Sequence, residues 1–279
     1  MEKKNAVDRI YDKFEEACPE HNEFPKKLSV EADRIVYHYT DWKGLNGILK
    51  GRMIWATHTD FLNDISENQI ATQRVRDFLS EWLFSRANEK TDARRFLQDY
   101  IGNICAQVNS NHSIYAASFS SKGDSLAQWR GYGAMGQGFS LGFDTNVLNK
   151  LTERKASEKE ALFFSRLCYD ESKQKEQTKN QVEPALDVLF RNYPGGRDHP
   201  DGLNAQQALN LWLLSSTAQN NALMKHPAFE EEEECRLWLI DNTLSEESQR
   251  PLSFRPGARG PIPYLEIPLW EEGELAPLR

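Results

Sequence analysis

The segment richest in reactive side chains is KHPAFEEEEECRLW at residues 225–238, where five consecutive glutamates precede an arginine. The sequence around CRLWLID favours a strand, and residues two apart in a strand share one face. Glu232 and Glu234 are therefore predicted to point into the same cleft, where carboxylates can supply orientation and negative charge. The competing interpretation is a solvated acidic run that protects a strand edge from aggregation.

A second candidate is the segment GDSLAQWRGYGAMGQG at residues 123–138, in which glycines flank Trp129, Arg130 and Tyr132. Glycine lets the backbone approach a ligand closely, so this loop is a candidate binding element. It is not a phosphate loop of the Walker type, because it lacks the Lys-Ser/Thr ending and lies between two predicted strands. The third candidate is His38 in VYHYT, although a lone histidine in an apolar strand is more often structural.

The elements that must position these residues follow from hydrophobic periodicity. Amphipathic spacing predicts helices over 4–17, 42–51 (stopped by Gly51), 67–87, 92–108, 172–192 (interrupted by Pro184) and 203–224. β-Branched and aromatic runs predict strands over 34–40, 53–58, 113–120, 138–144, 162–170, 233–241 and 264–270. Because these elements do not alternate as regular βαβ units and no GxGxxG follows a strand, the sequence predicts an α+β fold.

Composition excludes several classes of protein. The 279 residues are 39% hydrophobic and 27% charged, which is ordinary for a globular protein. A net charge of -8 gives no overall attraction to nucleic acid or anionic lipid. The N-terminus lacks the apolar stretch of a signal peptide and no segment is apolar enough to span a bilayer, so a cytoplasmic location without membrane contact is expected. The four cysteines are scattered and are expected to be reduced, without zinc.

Five stretches in order resemble a known family: VYHYT at 36–40, WATHTDFLNDISE at 55–67, SFS with QWRGYG at 118–133, GFSLGF at 138–143, and the closing Lys225, Phe229, Glu232, Glu234 and Arg236. Together they resemble the bacterial domain-of-unknown-function family DUF2971 over residues 36–270. Two departures are that family members often carry Trp where Phe229 stands, and often continue into a further strand. If that strand is absent after Arg279, an edge of the sheet is open to a partner.

A strand-borne histidine and a late Glu-x-Glu also resemble the ADP-ribosyltransferase superfamily, which implies a split β-sheet core with helical insertions. That resemblance implies NAD as co-substrate, no metal, and transfer of ADP-ribose to a protein or nucleic-acid acceptor, as in a toxin or phage-defence effector with a possible neutralising antitoxin. It makes Glu234 the ribose-binding catalytic carboxylate, Glu232 the group that activates the acceptor, and His38 a ribose ligand. The remaining cofactor-binding candidates are Tyr39, Thr40, Ser118, Ser120, Trp129, Arg130, Tyr132, Lys225 and Arg236.

Two alternatives remain open at this point. One is a non-catalytic module that recognises a nucleotide or a partner protein, with Glu232 and Glu234 structural. The other is a metal-dependent nuclease with Asp64, Glu67, Glu232 and Glu234 as oxygen ligands; Asp64 and Glu67 are otherwise explained as the start of a helix. For the organisation of the chain, we expect one α+β domain over 1–279, with an N-terminal helical extension over 1–30 and a helical insertion over 171–225.

Overall fold

The computed structural model describes residues 4–62, 67–86, 97, 113–133, 137–157, 162–194, 198–241, 252–257, 260–270 and 278. Helices and an antiparallel sheet are both present, so the α+β class is confirmed. The chain divides into two compact units, one from 1–24, 66–112 and 170–224, and the other from 25–65, 113–169 and 225–279. The expected extension and insertion both contribute to the first unit, and the single-domain organisation stays a prediction.

The first unit is helical. Its described helices are α1 (Ala6–Ala17), α4 (Glu67–Ser85), α7 (Glu171–Asn192) and α8 (Gly202–Leu223), while α2 (Glu20–Lys27) runs across the boundary at residue 24. Asn5 starts α1 because its side chain accepts from the Asp8 backbone N–H at 2.9 Å. The core of this unit packs around the fully buried Phe14, Leu79 and Trp212.

The second unit contains the sheet. Its strands are β1 (Ile35–Thr40), β2 (Met53–His58), β3 (Ser113–Ser120), β4 (Phe139–Asp144), β5 (Leu162–Arg166), β6 (Glu234–Asp241), β7 (Ser253–Gly257) and β8 (Gly260–Pro268). The eight-stranded sheet has the order β4-β1-β3-β2-β8-β7, with β6 paired to both β3 and β5. Its helices are α3 (Trp42–Gly51), α5 (Leu126–Gly131) and α6 (Thr145–Ser157). One face of the sheet is covered by an apolar core that includes Phe119, Phe143 and Leu237.

The edge of β3 opposite β6 is shared between two strands. Its Tyr115 and Ala116 pair with β2, whereas its Ser120 pairs with Tyr37 of β1. β1 pairs along its whole length with β4 on its other side. A gap is therefore left beside residues 117–119 of β3, between the ends of β1 and β2, and this gap positions the candidate site.

The structure corrects three predictions of local structure. Helix α7 continues through Pro184 without interruption, because the buried Val182, Ala185 and Leu186 hold both sides of the proline in one packed helix. Helix α3 has the predicted bounds of 42–51, but the left-handed residue that ends it is Arg52 with φ 55° and not Gly51. Strand β5 ends at Arg166, earlier than expected, and β7, α2 and α6 had no prediction. The helix expected over 92–108 lies outside the described residues, apart from Leu97.

None of the helices in the described part of the chain combines the length and the apolarity that crossing a bilayer requires.

Candidate functional site

A small cavity opens at the gap between β1 and β3. Its volume is about 50 Å³, which is room for a few water molecules. It is lined by Tyr37, His38, Tyr39, Ser118, Phe119, Gln128, Tyr132, Glu232 and Glu234. Three consecutive residues of β1 line it, although neighbouring strand residues point to opposite faces. The cavity therefore reaches both faces of β1, as expected where a strand lacks a partner on one side.

His38 spans the gap. Its Nδ1 lies 2.9 Å from the backbone carbonyl oxygen of Ser118 on β3. A carbonyl can only accept, so Nδ1 carries the proton and donates, which makes Nε2 an acceptor in the neutral ring. Burial lowers the pKa of His38, opposed by the hydrogen bond to Ser118 and reinforced by the positive charge of Arg255. At neutral pH His38 is thus a neutral side chain with one nitrogen able to accept from a ligand hydroxyl.

A buried ion cluster lies beside the cavity. Lys225 Nζ donates to Glu234 Oε2 at 2.7 Å and to Glu232 Oε2 at 2.8 Å, and Arg236 Nε donates to Glu234 Oε1 at 2.7 Å. The exposed fraction of the side chains is 5% for Glu234, 2% for Lys225 and 1% for Arg236. Burial alone would raise the pKa of Glu234, but the charges of Arg236 and Lys225 outweigh it and hold the pKa at about 2.

The two carboxylates differ in how much of them a ligand can reach. Both oxygens of Glu234 accept hydrogen bonds from buried cations, so this side chain is already engaged on each side. Glu232 is more open, with 16% of its side chain exposed. Glu232 is therefore the carboxylate better placed to meet a ligand, and Glu234 is placed to hold Lys225 and Arg236.

The prediction that Glu232 and Glu234 share the face of one strand was wrong. Glu232 ends a 3-10 turn that spans Pro227–Glu232, and β6 begins only at Glu234. Glu233 between them adopts the left-handed conformation with φ 42°. That reversal of the backbone, and not strand alternation, brings both carboxylates to Lys225. The turn is also held by Ser120, whose hydroxyl donates to the Glu232 carbonyl at 2.7 Å.

Tyr39 and Ser120 position the loops around the cavity. The Tyr39 hydroxyl donates to the Lys122 carbonyl at 2.7 Å and accepts from the Ser125 N–H at 3.0 Å. Ser120 Oγ also accepts from the Lys122 N–H at 3.1 Å. Both hydroxyls were predicted to bind a cofactor, and the structure places them in hydrogen bonds with the backbone. They can determine where the cavity wall lies without touching a ligand.

The glycine-flanked loop contributes Tyr132 to the cavity and places Trp129 behind it. The Trp129 ring meets Tyr39 edge-on, with centroids 4.9 Å apart, and its Nε1 donates to Asp124 Oδ1 at 2.7 Å. A Cβ on Gly133 would lie 2.5 Å from the Trp129 ring, so only glycine permits this approach. Tyr132 is 38% exposed at the mouth of the cavity. Arg130 is exposed and is not part of the cavity lining.

The cavity brings together six of the residues singled out from the sequence for catalysis or cofactor binding: its wall includes His38, Tyr39, Ser118, Tyr132, Glu232 and Glu234. Thr40, Ser120, Lys225 and Arg236 do not line it. Tyr37, Phe119 and Gln128 line it without having been predicted. Gln128 had a usable signal, since it opens the QWRGYG motif and is a buried amide.

The nuclease alternative places a metal between the acidic side chains. In the structure the ammonium of Lys225 lies between Glu232 and Glu234 and forms an ion pair with one carboxylate oxygen of each. Asp64 lies outside the described residues, as does the side chain of Glu67. Within the described part of the chain no three His, Cys, Asp or Glu side chains form a group that could hold a metal ion. The geometry of the two described glutamates therefore favours a lysine-centred cluster.

Comparisons with known proteins give one match. The model of the family described as protein of unknown function (DUF2971) matches residues 128–237, which include Gln128, Tyr132, Glu232 and Glu234 of the cavity wall. No curated protein matches the chain, and no solved structure matches it. Over residues 128–237 the chain is therefore similar to the DUF2971 family, and over these residues the resemblance inferred from the motifs is confirmed.

Proposed function

We propose that this protein transfers ADP-ribose from NAD to a protein or nucleic-acid acceptor. The observation that supports the proposal is the cavity at the gap between β1 and β3. It collects a neutral histidine, a serine, three tyrosines and two carboxylates from segments as far apart as His38 and Glu234. These are the groups that a glycosyl transfer from NAD requires to orient a ribose and to stabilise positive charge.

The reaction would use the groups in separate roles. As the bond between C1′ of the ribose and the nicotinamide nitrogen breaks, nicotinamide leaves with the electron pair and C1′ becomes cationic. Glu232 is the carboxylate placed to stabilise that charge and to accept the proton of the incoming nucleophile. His38 Nε2 would accept from a ribose hydroxyl, while Tyr132 at the mouth of the cavity would stack on nicotinamide. Glu234 would act through Lys225, by keeping the ammonium fixed beside Glu232.

The size of the cavity adds a requirement. Pockets for small molecules usually measure about 300–1,000 Å³, whereas this one measures about 50 Å³. NAD binding therefore requires the mouth to widen. Tyr132 is the side chain to move, because it is already partly exposed and is flanked by Gly131 and Gly133.

The direct experiment follows two labels. Protein is incubated in cell lysate with NAD labelled either in the adenylate or in the nicotinamide. The proposal expects adenylate label to become covalently attached to protein or nucleic acid, and nicotinamide label to stay in the small-molecule fraction. Label from neither form entering a macromolecule, at NAD concentrations up to millimolar, contradicts the proposal.

One observation favours a second candidate, a non-catalytic module that recognises a small polar ligand. The charges of Glu232, Glu234, Lys225 and Arg236 balance one another, and the cavity of about 50 Å³ is small. Such a module would bind its ligand and leave NAD intact. An increase of melting temperature with NAD but no release of nicotinamide would support this candidate over the transferase.

A further inference from the structure

Arg255 on β7 carries a partly buried positive charge that forms no ion pair with any of the described residues. Its side chain reaches across β8, and Nη2 donates to Thr57 Oγ1 on β2 at 3.0 Å. Its Nε is buried and has no hydrogen-bond partner among the residues that the structure describes. Within the described part of the chain, no carboxylate oxygen lies within 4.0 Å of the guanidinium group. A guanidinium group with an unpaired donor is suited to bind an anionic group of a ligand.

The side chain of Arg255 is anchored on β2, the strand that borders the gap. Its anchor Thr57 pairs with Tyr264 of β8 on one side and with Ala116 of β3 on the other. Ala116 is the last residue of β3 bonded to β2 before the gap that holds Ser118 and His38. The charge of Arg255 is near enough to lower the pKa of His38. Arg255 thus lies on the β2 side of the gap, and Glu232 and Glu234 line the cavity within it.

Neighbouring groups offset the burial of Arg255 only in part. Burial lowers the pKa of Arg255, and the opposing influences of Tyr264 and Asp41 are smaller. Asp41 already accepts from the Gly44 N–H at 2.8 Å, where it starts α3. Partial burial of the Arg255 charge without an ion pair lowers the stability of the ligand-free protein. Binding sites often carry residues that lower stability in this way.

We propose that Arg255, oriented by Thr57, is an anion subsite beside the cavity and binds the diphosphate of a dinucleotide. This inference rests on the proposed function for the identity of the ligand. The reactive ribose would lie among His38, Glu232 and Tyr132, and the diphosphate would extend along the gap toward Thr57. A diphosphate oxygen there accepts from Nε and from Nη2, so the orphaned donor gains a partner on binding.

The test compares Arg255→Met with Arg34→Met. Methionine keeps an unbranched apolar stem in place of the arginine stem, and Arg34 is an exposed arginine of the same unit. Binding of inorganic pyrophosphate and of ADP-ribose is measured by calorimetry. The inference expects both ligands to bind wild type and Arg34→Met, and to bind Arg255→Met at least tenfold more weakly. Failure of pyrophosphate to bind wild type, or equal binding to Arg255→Met, overturns it.

A structural role for Arg255 gives a different result. The melting temperature of ligand-free Arg255→Met is expected to equal or exceed that of wild type, because an unpaired charge has been removed. A lower melting temperature means that Arg255 supports the fold and overturns the inference. Thr57→Val, which removes only the orienting hydroxyl, is expected to weaken pyrophosphate binding less than Arg255→Met does.

The two proposals fail separately. If pyrophosphate binding depends on Arg255 but NAD is not consumed, the anion subsite stands and the transferase does not. If NAD is consumed and Arg255→Met leaves KM for NAD unchanged, the transferase stands and the subsite is wrong.

Discussion

Neutralising Glu234 tests the ion cluster most sharply. Glu234→Gln keeps the shape of the side chain but removes the carboxylate that accepts from both Lys225 and Arg236, whose side chains are nearly inaccessible. Removing one partner from a buried pair costs about 3–5 kcal/mol. The pKa of Glu234, about 2 instead of 4.5, gives a separate figure of about 3 kcal/mol, at about 1.36 kcal/mol per pKa unit.

The assay is urea unfolding at pH 7, followed by circular dichroism. We expect Glu234→Gln to lose about 3 kcal/mol of unfolding free energy and Glu231→Gln, an exposed neighbour, to change by less than about 0.5 kcal/mol. Lys225→Met added to Glu234→Gln removes the stranded cation, so the double variant should lose less than the sum of the single variants. A loss below about 1 kcal/mol for Glu234→Gln would refute the account of the cluster.

The same carboxylate predicts a pH dependence. Its folded pKa is lower than its unfolded pKa, so its stabilisation is complete above about pH 4.5 and is lost as the pH falls toward about 2. Glu234→Gln should remove this part of the acid sensitivity.

Three further predictions concern other residues. Burial lowers the pKa of His21 to about 4, so stability should fall by about 3 kcal/mol as the pH drops from about 6.5 to about 4, and His21→Gln should abolish that part of the pH dependence in urea titrations. Tyr39→Phe leaves the Lys122 carbonyl and the Ser125 N–H without the hydroxyl, so it should cost about 1–3 kcal/mol in the same assay; an unchanged midpoint would mean that water replaces the hydroxyl. Burial raises the pKa of Cys18 to about 12, so mass spectrometry should find it alkylated by iodoacetamide only after unfolding, and fast labelling of native protein would contradict its burial.

The local sequence was sufficient to predict most strands of the sheet. Alternation and β-branched residues predicted β1, β2 and β3 within one residue of their observed ends, and Asp41 is a residue type that starts helices, as it does in α3. The α+β class follows from the order of these elements. Strand β7 was not predicted, because SFRPG is short and pairs only with β8, its neighbour in a hairpin. Arg255 was therefore missed with it.

The sequence indicated which residues line the cavity better than it indicated how they are arranged. His38, Ser118, Tyr132, Glu232 and Glu234 were chosen from motifs and do line one cavity. The sequence could not show that Lys225 lies between the two glutamates, because the left-handed turn at Glu233 decides it. A run of five glutamates carries no local signal for the residue at which a strand begins.

The rate of nicotinamide release from NAD tests the central claim most directly. It is measured with wild type, Glu232→Gln and Glu231→Gln in a lysate that supplies the acceptor. We predict that wild type and Glu231→Gln release nicotinamide at equal rates and that Glu232→Gln is slower by about a hundredfold, as for the loss of one preorganised electrostatic group. Equal rates for all three proteins, or no release above the lysate alone, would contradict the assignment of ADP-ribosyl transfer to this cavity.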